Sequence, residues 1–258
     1  SQPDEIYNLA AQSHVRISFD IPVFTSQVNG AAVIQLLEIL RQRYPLTRFY
    51  QASSSEMFGN SVDPDGFQRE STPMTPVSPY GCAKLFGYSA VRNYRNAYEL
   101  FASNGILFNH ESPRRGSNFV TSKIVKSAVA IKLGLQQDLK LGNLDSYRDW
   151  GHARDYVAAM QLILGCDTAD DFVVATGYTH SVRDLCQIVF EMLSLNYEDY
   201  VVQDPRYLRA EELRFLRGDS TKFRALTNWA PQTSFETLLD EMVKEWWSRL
   251  ASSGPNLL

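Results

Sequence analysis

Arg48-Phe49-Tyr50-Gln51-Ala52-Ser53-Ser54-Ser55-Glu56-Met57-Phe58-Gly59 sets a short, mostly apolar run directly against three hydroxyls and a carboxylate. The first part, residues 48–52, predicts a buried strand. The second part is that strand's exit. Hydroxyls and a carboxylate serve packing badly there, because burying them without partners is costly. They suit a ligand, since open α/β sheets bind ligands beyond the carboxyl ends of their strands.

Outward from this stretch the chain alternates short β-rich runs with longer helical ones. Strands are predicted over 5–10, 105–109 and 171–176, and helices over 23–43, 79–99, 152–166 and 181–195. Near the end, Thr233-Ser234-Phe235-Glu236 offers a capping box before Phe235, Leu238, Leu239, Met242, Val243 and Trp246 repeat at helical spacing. Strands joined by crossover-length helices predict an α/β fold, a Rossmann-type doubly wound parallel sheet covered on both faces. From about residue 121 strands thin out and loops lengthen, as in a smaller substrate-binding domain. The expected division is residues 1–120 for the dinucleotide-binding part, with help from about 150–180, and 121–258 for the substrate part. A Rossmann sheet should open with a strand and a Gly-rich turn. No such turn occurs here, so the chain is expected to be part of a longer one.

The 258 residues are 44% hydrophobic and 12% aromatic, enough for a buried core and unlike a disordered chain. A net charge of −4 gives no basic footprint for nucleic acid. No run of about twenty apolar residues suggests a membrane span. Cys82, Cys166 and Cys186 lack metal-ligand spacing and predict reduced thiols in a cytoplasmic protein. His14, His152 and His180 lack partners at ligand spacing, so no metal is assigned.

Tyr80-Gly81-Cys82-Ala83-Lys84, announced by Ser78-Pro79, is a YxxxK spacing at a helix start. Positions i and i+4 share one helical face. A phenol titrates near 10 and is a poor base at neutral pH. A nearby ammonium favours the phenolate, and the pair can then take a proton from a sugar hydroxyl. Ser54 is placed to hydrogen-bond that same hydroxyl. Taken singly, the spacing also fits a packed tyrosine and a solvated lysine.

The two halves together resemble the extended short-chain dehydrogenase/reductase superfamily, with its hydroxyl–tyrosine–lysine triad. Further stretches resemble the GDP-mannose 4,6-dehydratase family across essentially the whole chain. They are EIYNLAAQSHVRISF (5–19), RFYQASSSEMFG (48–59), SPYGCAK (78–84), NGILFNHESPRRGSNFVTSKI (104–124), LGNLDSYRDWGHARDYV (141–157), DFVVATG (171–177) and YEDYVVQDPRYLRAEE (197–212).

The resemblance implies dehydration of GDP-mannose to GDP-4-dehydro-6-deoxy-D-mannose, a step toward deoxysugars such as GDP-fucose, with hydride passing out to and back from NADP. Tyr80 with Lys84 would be the base for the C4 hydroxyl, assisted by Ser54. Glu56 would take the C5 proton as water leaves C6. Asn109, Lys123, Arg148, Arg209 and Glu212 would bind the sugar nucleotide. Leu9, Ala10, Ala11, Tyr80, Lys84, His110 and Arg115 would bind the cofactor. Arg114 and Arg115 fall in a loop that the family uses between subunits, which implies a homodimer or homotetramer.

Departures from the family pattern are Ser54 for Thr, Ala210 for Pro, Ser122 for Arg, and a longer 60–77 loop. Two other readings stay open: a GDP-4-keto-sugar reductase or epimerase, for which Glu56 is not needed, and a noncatalytic chain lacking its cofactor loop.

Overall fold

The computed structural model describes residues 3–207, 211 and 213–253. Strand β1 (Glu5–Asn8) leads through a short helix, α1 (Val15–Ser18), into α2 (Pro22–Ser26), a π-helical turn (Gln27–Ala31) and α3 (Ala32–Arg43). The expected single helix over 23–43 is therefore one helical run with an extra residue in its middle. The cause is a close approach: a Cβ at Gly30 would stand 2.9 Å from the Phe86 ring, and one at Gly87 3.0 Å from the Asn29 carbonyl. Residues 22–43 are long and apolar enough to cross a membrane, contrary to the sequence expectation. One face is used otherwise, since Val33, Leu37 and Leu40 are buried in a cluster with Phe49, Val91 and Ala102.

Strand β2 (Arg48–Ser54) follows, then a 3-10 turn (Ser55–Phe58), helix α4 (Pro79–Tyr98), β3 (Ala102–Leu107) and β4 (Asn109–Glu111). Helix α5 (Val120–Lys132) was not anticipated. Its β-branched residues obscure the period, although Ile124, Val125, Ala128 and Val129 are all fully buried. Next come β5 (Leu139–Leu141), β6 (Tyr147–Arg148), β7 (Trp150–His152), α6 (Ala153–Gly165), β8 (Asp171–Val174), β9 (His180–Ser181) and α7 (Val182–Met192). The chain ends with β10 (Val201–Gln203), α8 (Thr221–Thr227) and α9 (Phe235–Ser253). Helix α9 starts one residue later than the capping-box reading. Ser234 Oγ accepts from the Thr237 amide, while the Thr233 amide donates to Asp155 Oδ2.

Four strands form one parallel sheet in the order β1-β2-β3-β8. Alternation along β2 sends Phe49 into the cluster with α3 and α4, and Tyr50 into a second cluster with Tyr156, Met160 and Ile163 of α6. Helices cover both faces, which explains why β2 and β3 are buried nearly throughout. A separate core forms beside the sheet from α5, α7 and α9, with Trp150, Leu139 and Leu141 contributed by short strands. The cleft lies between this core and the carboxyl ends of β1, β2 and β3.

Candidate active site

The exit of β2 is held open by its own hydrophobic residues. Met57 and Phe58 of the 3-10 turn are fully buried, which fixes the turn that carries Glu56. Ser54 caps the turn, its Oγ accepting from the Glu56 amide at 3.2 Å. Gly59 closes it with φ +59; a Cβ there would stand 1.8 Å from the Thr75 carbonyl oxygen. Phe58 O accepts from the Thr75 amide and hydroxyl, so Gly59 and Thr75 form the neck of the 60–74 loop.

Helix α4 begins with Ser78 Oγ accepting from the Gly81 amide and Pro79 in its first turn. Gly81 is required by contact: a Cβ would lie 2.8 Å from the Glu56 carbonyl oxygen. The missing side chain lets Tyr80 come against the turn that carries Glu56. Ser54, Glu56, Tyr80 and Lys84 thereby line one wall of a cleft of about 1050 Å³.

Burial pushes the Tyr80 phenol up to about 12; a hydrogen bond with Ser54 draws it down, the Glu56 carboxylate raises it and the Arg115 charge lowers it. The expected lowering by Lys84 is not found. Its Nζ donates to Ala52 O at 2.9 Å and stands 5.8 Å from the Tyr80 ring centroid. Burial weakens the ammonium itself, to about 8.

Leu9 and Ala11, just past β1, line the cleft; Ala10 between them is exposed and does not. The segment is registered by Asn29, missed in the sequence, whose side chain accepts from the Gln12 amide and donates to its carbonyl. His110 Nδ1 donates to Phe108 O at 2.9 Å, which leaves Nε2 as an acceptor. Its ring stacks on Tyr156 at 4.8 Å, and burial depresses its pKa to about 4.

Arg115 pairs with Glu111 Oε2 at 2.8 Å and lies 3.6 Å over the Phe119 ring. Glu111 was also missed; it is buried and accepts from Thr121 Oγ1 on the same oxygen. Only its four-residue spacing from Arg115 could have signalled it. Arg114 is exposed, its amide donating to Ser112 Oγ. Ser122 faces inward, donating to Arg115 O and accepting from Trp246 Nε1.

Across the cleft, Asn109 opens β4, and Lys123 of α5 donates to Lys140 O with its Nζ 3.9 Å from the Tyr207 ring. Burial lowers the Lys123 pKa, opposed by Asp204. Arg148 is buried in the wall, donating to Tyr147 O and Leu213 O. Asn109, Lys123 and Arg148 all line the cleft. Arg209 and Glu212 lie outside the described residues. Of the histidines without local partners in sequence, His152 has gained a distant one, Glu241 Oε2 at 3.1 Å.

The wall fits the nicotinamide–ribose half of a dinucleotide. Lys84 presents an ammonium to a hydroxyl-lined wall, His110 a ring acceptor, and Leu9 and Ala11 an apolar edge. A pyrophosphate cradle needs a Gly-rich turn, which is not among these residues.

The family model described as GDP-mannose 4,6 dehydratase matches residues 1–242. The chain is 50% identical over 248 residues to GDP-mannose 4,6 dehydratase 2 of Arabidopsis thaliana, covering 95% of this chain and 66% of that one. It is 48% identical to the Homo sapiens GDP-mannose 4,6 dehydratase, covering 94% and 70%. It thus spans about two thirds of the length of these curated relatives. Among solved structures, RMD from Pseudomonas aeruginosa complexed with NADPH superposes with TM-score 0.88 at 25% identity, covering 96% of this chain and 83% of that one. A dTDP-glucose 4,6-dehydratase from Bacillus anthracis in complex with NAD shares the fold, with TM-score 0.82 at 22% identity, covering 97% and 74%.

Proposed function

The chain belongs to the GDP-mannose 4,6 dehydratase family, and from that premise we propose that it dehydrates GDP-D-mannose to GDP-4-dehydro-6-deoxy-D-mannose using NADP. The observation that carries this reading is the convergence of Ser54, Glu56, Tyr80 and Lys84 on one wall of the cleft. A hydroxyl, phenol and ammonium suffice for alcohol oxidation; the added carboxylate supplies the second acid–base group that elimination demands.

Tyr80 Oη takes the proton of the C4 hydroxyl while Ser54 holds that hydroxyl in place. Glu56 takes the C5 proton, which a C4 ketone makes acidic, and gives it to the C6 hydroxyl, which leaves as water. The hydride taken from C4 would then return to C6, and C5 would regain a proton equivalent to the one Tyr80 took up. With its phenol at about 12, Tyr80 in the ligand-free cleft is protonated, a donor rather than a base. A bound oxidised nicotinamide would supply a hydride acceptor, and its positive charge would favour the phenolate form in which Tyr80 acts as a base. Leu9, Ala11, Lys84, His110 and Arg115 would hold the cofactor, Ala10 dropping out of the set because it does not line the cleft, and the NADPH complex of the Pseudomonas relative supports NADP over NAD.

Asn109, Lys123 and Arg148 would hold the sugar nucleotide, the cations facing its diphosphate. Arg209 and Glu212 belong to the same set by resemblance. A homodimer or homotetramer is supported by the exposed Val23 and Phe24 of α2 and Phe86 of α4, two helices that pack on each other. Free Cys82, Cys166 and Cys186 support the cytoplasm as its location. The product would feed deoxyhexose synthesis such as that of GDP-fucose.

The test is incubation of the full-length protein with GDP-mannose and NADP. A 4-keto-6-deoxy product with no net change in cofactor redox state is expected. Stoichiometric NADPH consumption, or a product that keeps its C6 hydroxyl, would overturn the reading in favour of a reductase or an epimerase.

A further inference from the structure

We propose that Ser146 and Trp150 donate hydrogen bonds to the diphosphate of the bound sugar nucleotide, one on each side of Arg148. This rests on the nucleotide-sugar reading above. Along an extended chain, side chains alternate between faces, so positions 146, 148 and 150 share one. The structure keeps that alternation: Ser146, Arg148 and Trp150 line the cleft. Tyr147 points outward, 42% exposed. Asp149 turns to the opposite side, where its carboxylate accepts from the Thr176 amide and hydroxyl and the Gly177 amide.

Ser146 Oγ and Trp150 Nε1 are buried and have no hydrogen-bond partner among the described residues. Native proteins pair nearly all buried polar atoms, and leaving one unpaired costs about 1–3 kcal/mol. Two such donors stand in the cleft wall on either side of Arg148, whose own guanidinium donates to Tyr147 O and Leu213 O, and an acceptor entering the cleft would satisfy them. An indole N–H can only donate, and a guanidinium can only donate. A hydroxyl completes a set suited to an oxygen-rich anion, and the diphosphate is that part of a nucleotide sugar. The Trp150 ring is fixed for the task, stacked on Phe235 of α9 at 5.5 Å with 6° between planes.

The experiment compares full-length wild type with Ser146→Ala and Trp150→Phe, both near-isosteric and the second keeping the stack on Phe235. GDP affinity is measured by calorimetry, and the denaturation midpoint is measured without nucleotide. Each variant is expected to weaken GDP about tenfold while the ligand-free midpoint stays the same or rises, because an unpaired buried donor has been removed. Wild type that binds GDP with both variants unchanged overturns the inference and leaves the functional reading standing. A loss of affinity accompanied by a lower ligand-free midpoint also overturns it, by showing a structural role. Wild type that does not bind GDP overturns the functional reading itself, and the inference with it.

Discussion

Lys84 and Ala52 are joined by a hydrogen bond of 2.9 Å, the ammonium donating to the main-chain oxygen two residues before Ser54. The lysine of the YxxxK spacing therefore ties helix α4 to the end of β2, besides charging the cleft. Lys84→Met keeps the stem and removes both functions. Turnover of GDP-mannose should fall by about 10²–10⁴-fold, the span of a lost acid–base contribution. Steady-state assays of full-length protein check this.

Glu56→Gln keeps the size of the side chain and removes its basicity. Formation of the 4-keto-6-deoxy product should stop while oxidation at C4 persists, visible as reduced cofactor in a single turnover. Full turnover in this variant would remove Glu56 from its assigned step.

Tyr50 and Gly105 face each other inside the sheet. A Cβ at Gly105 would stand 2.1 Å from Tyr50 Oη, and that hydroxyl has no partner among the described residues. Gly105→Ala should destabilise by about 1–3 kcal/mol through overpacking. Tyr50→Phe should be neutral or stabilising, since it removes an unpaired buried hydroxyl. The double variant should recover part of the Gly105→Ala loss, a non-additivity that urea titrations would read.

Asp171 gathers four donors at the other end of the sheet. Tyr88 Oη and Asn104 Nδ2 donate to it, and Arg92 and Arg95 pair with it at 3.2 and 3.0 Å. Asp171→Asn leaves these groups facing a neutral amide. The expected loss is about 3–5 kcal/mol, as for breaking a buried pair by removing one partner. Urea unfolding at neutral pH measures it.

His110 should make the fold acid-sensitive. Its pKa is about 4 folded against about 6.5 for a free imidazole. The unfolded chain therefore binds the extra proton first, so this contribution is full above pH 6.5 and is lost as pH falls toward 4. The stability difference between wild type and His110→Gln should shrink across that window. A difference independent of pH would show that the ring does not titrate as described.

The sheet was legible because its strands are short, apolar and separated by helices of crossover length. The meeting of Ser54, Glu56, Tyr80 and Lys84 at one cleft was legible because they sit at a strand end and on one helical face, both local features. What escaped is long-range or atypical. Helix α5 hides its period behind β-branched residues. Asn29 acts through main-chain groups of Gln12, a contact that leaves no motif. Lys84 was read as acting on Tyr80, yet the fold offers it the Ala52 carbonyl, an acceptor that no side-chain pattern announces.

The Gly59–Thr75 neck has one more effect. It isolates whatever happens in the intervening excursion from the turn bearing Glu56, much as a drawstring isolates the contents of a bag. Gln68 and Arg69 dock part of the excursion onto Arg217 and Asp219, but a Cβ built on Gly66 at its tip would meet no atom within 4 Å. Evolution or an engineer could therefore lengthen the tip, or graft a new peptide there, without moving the carboxylate.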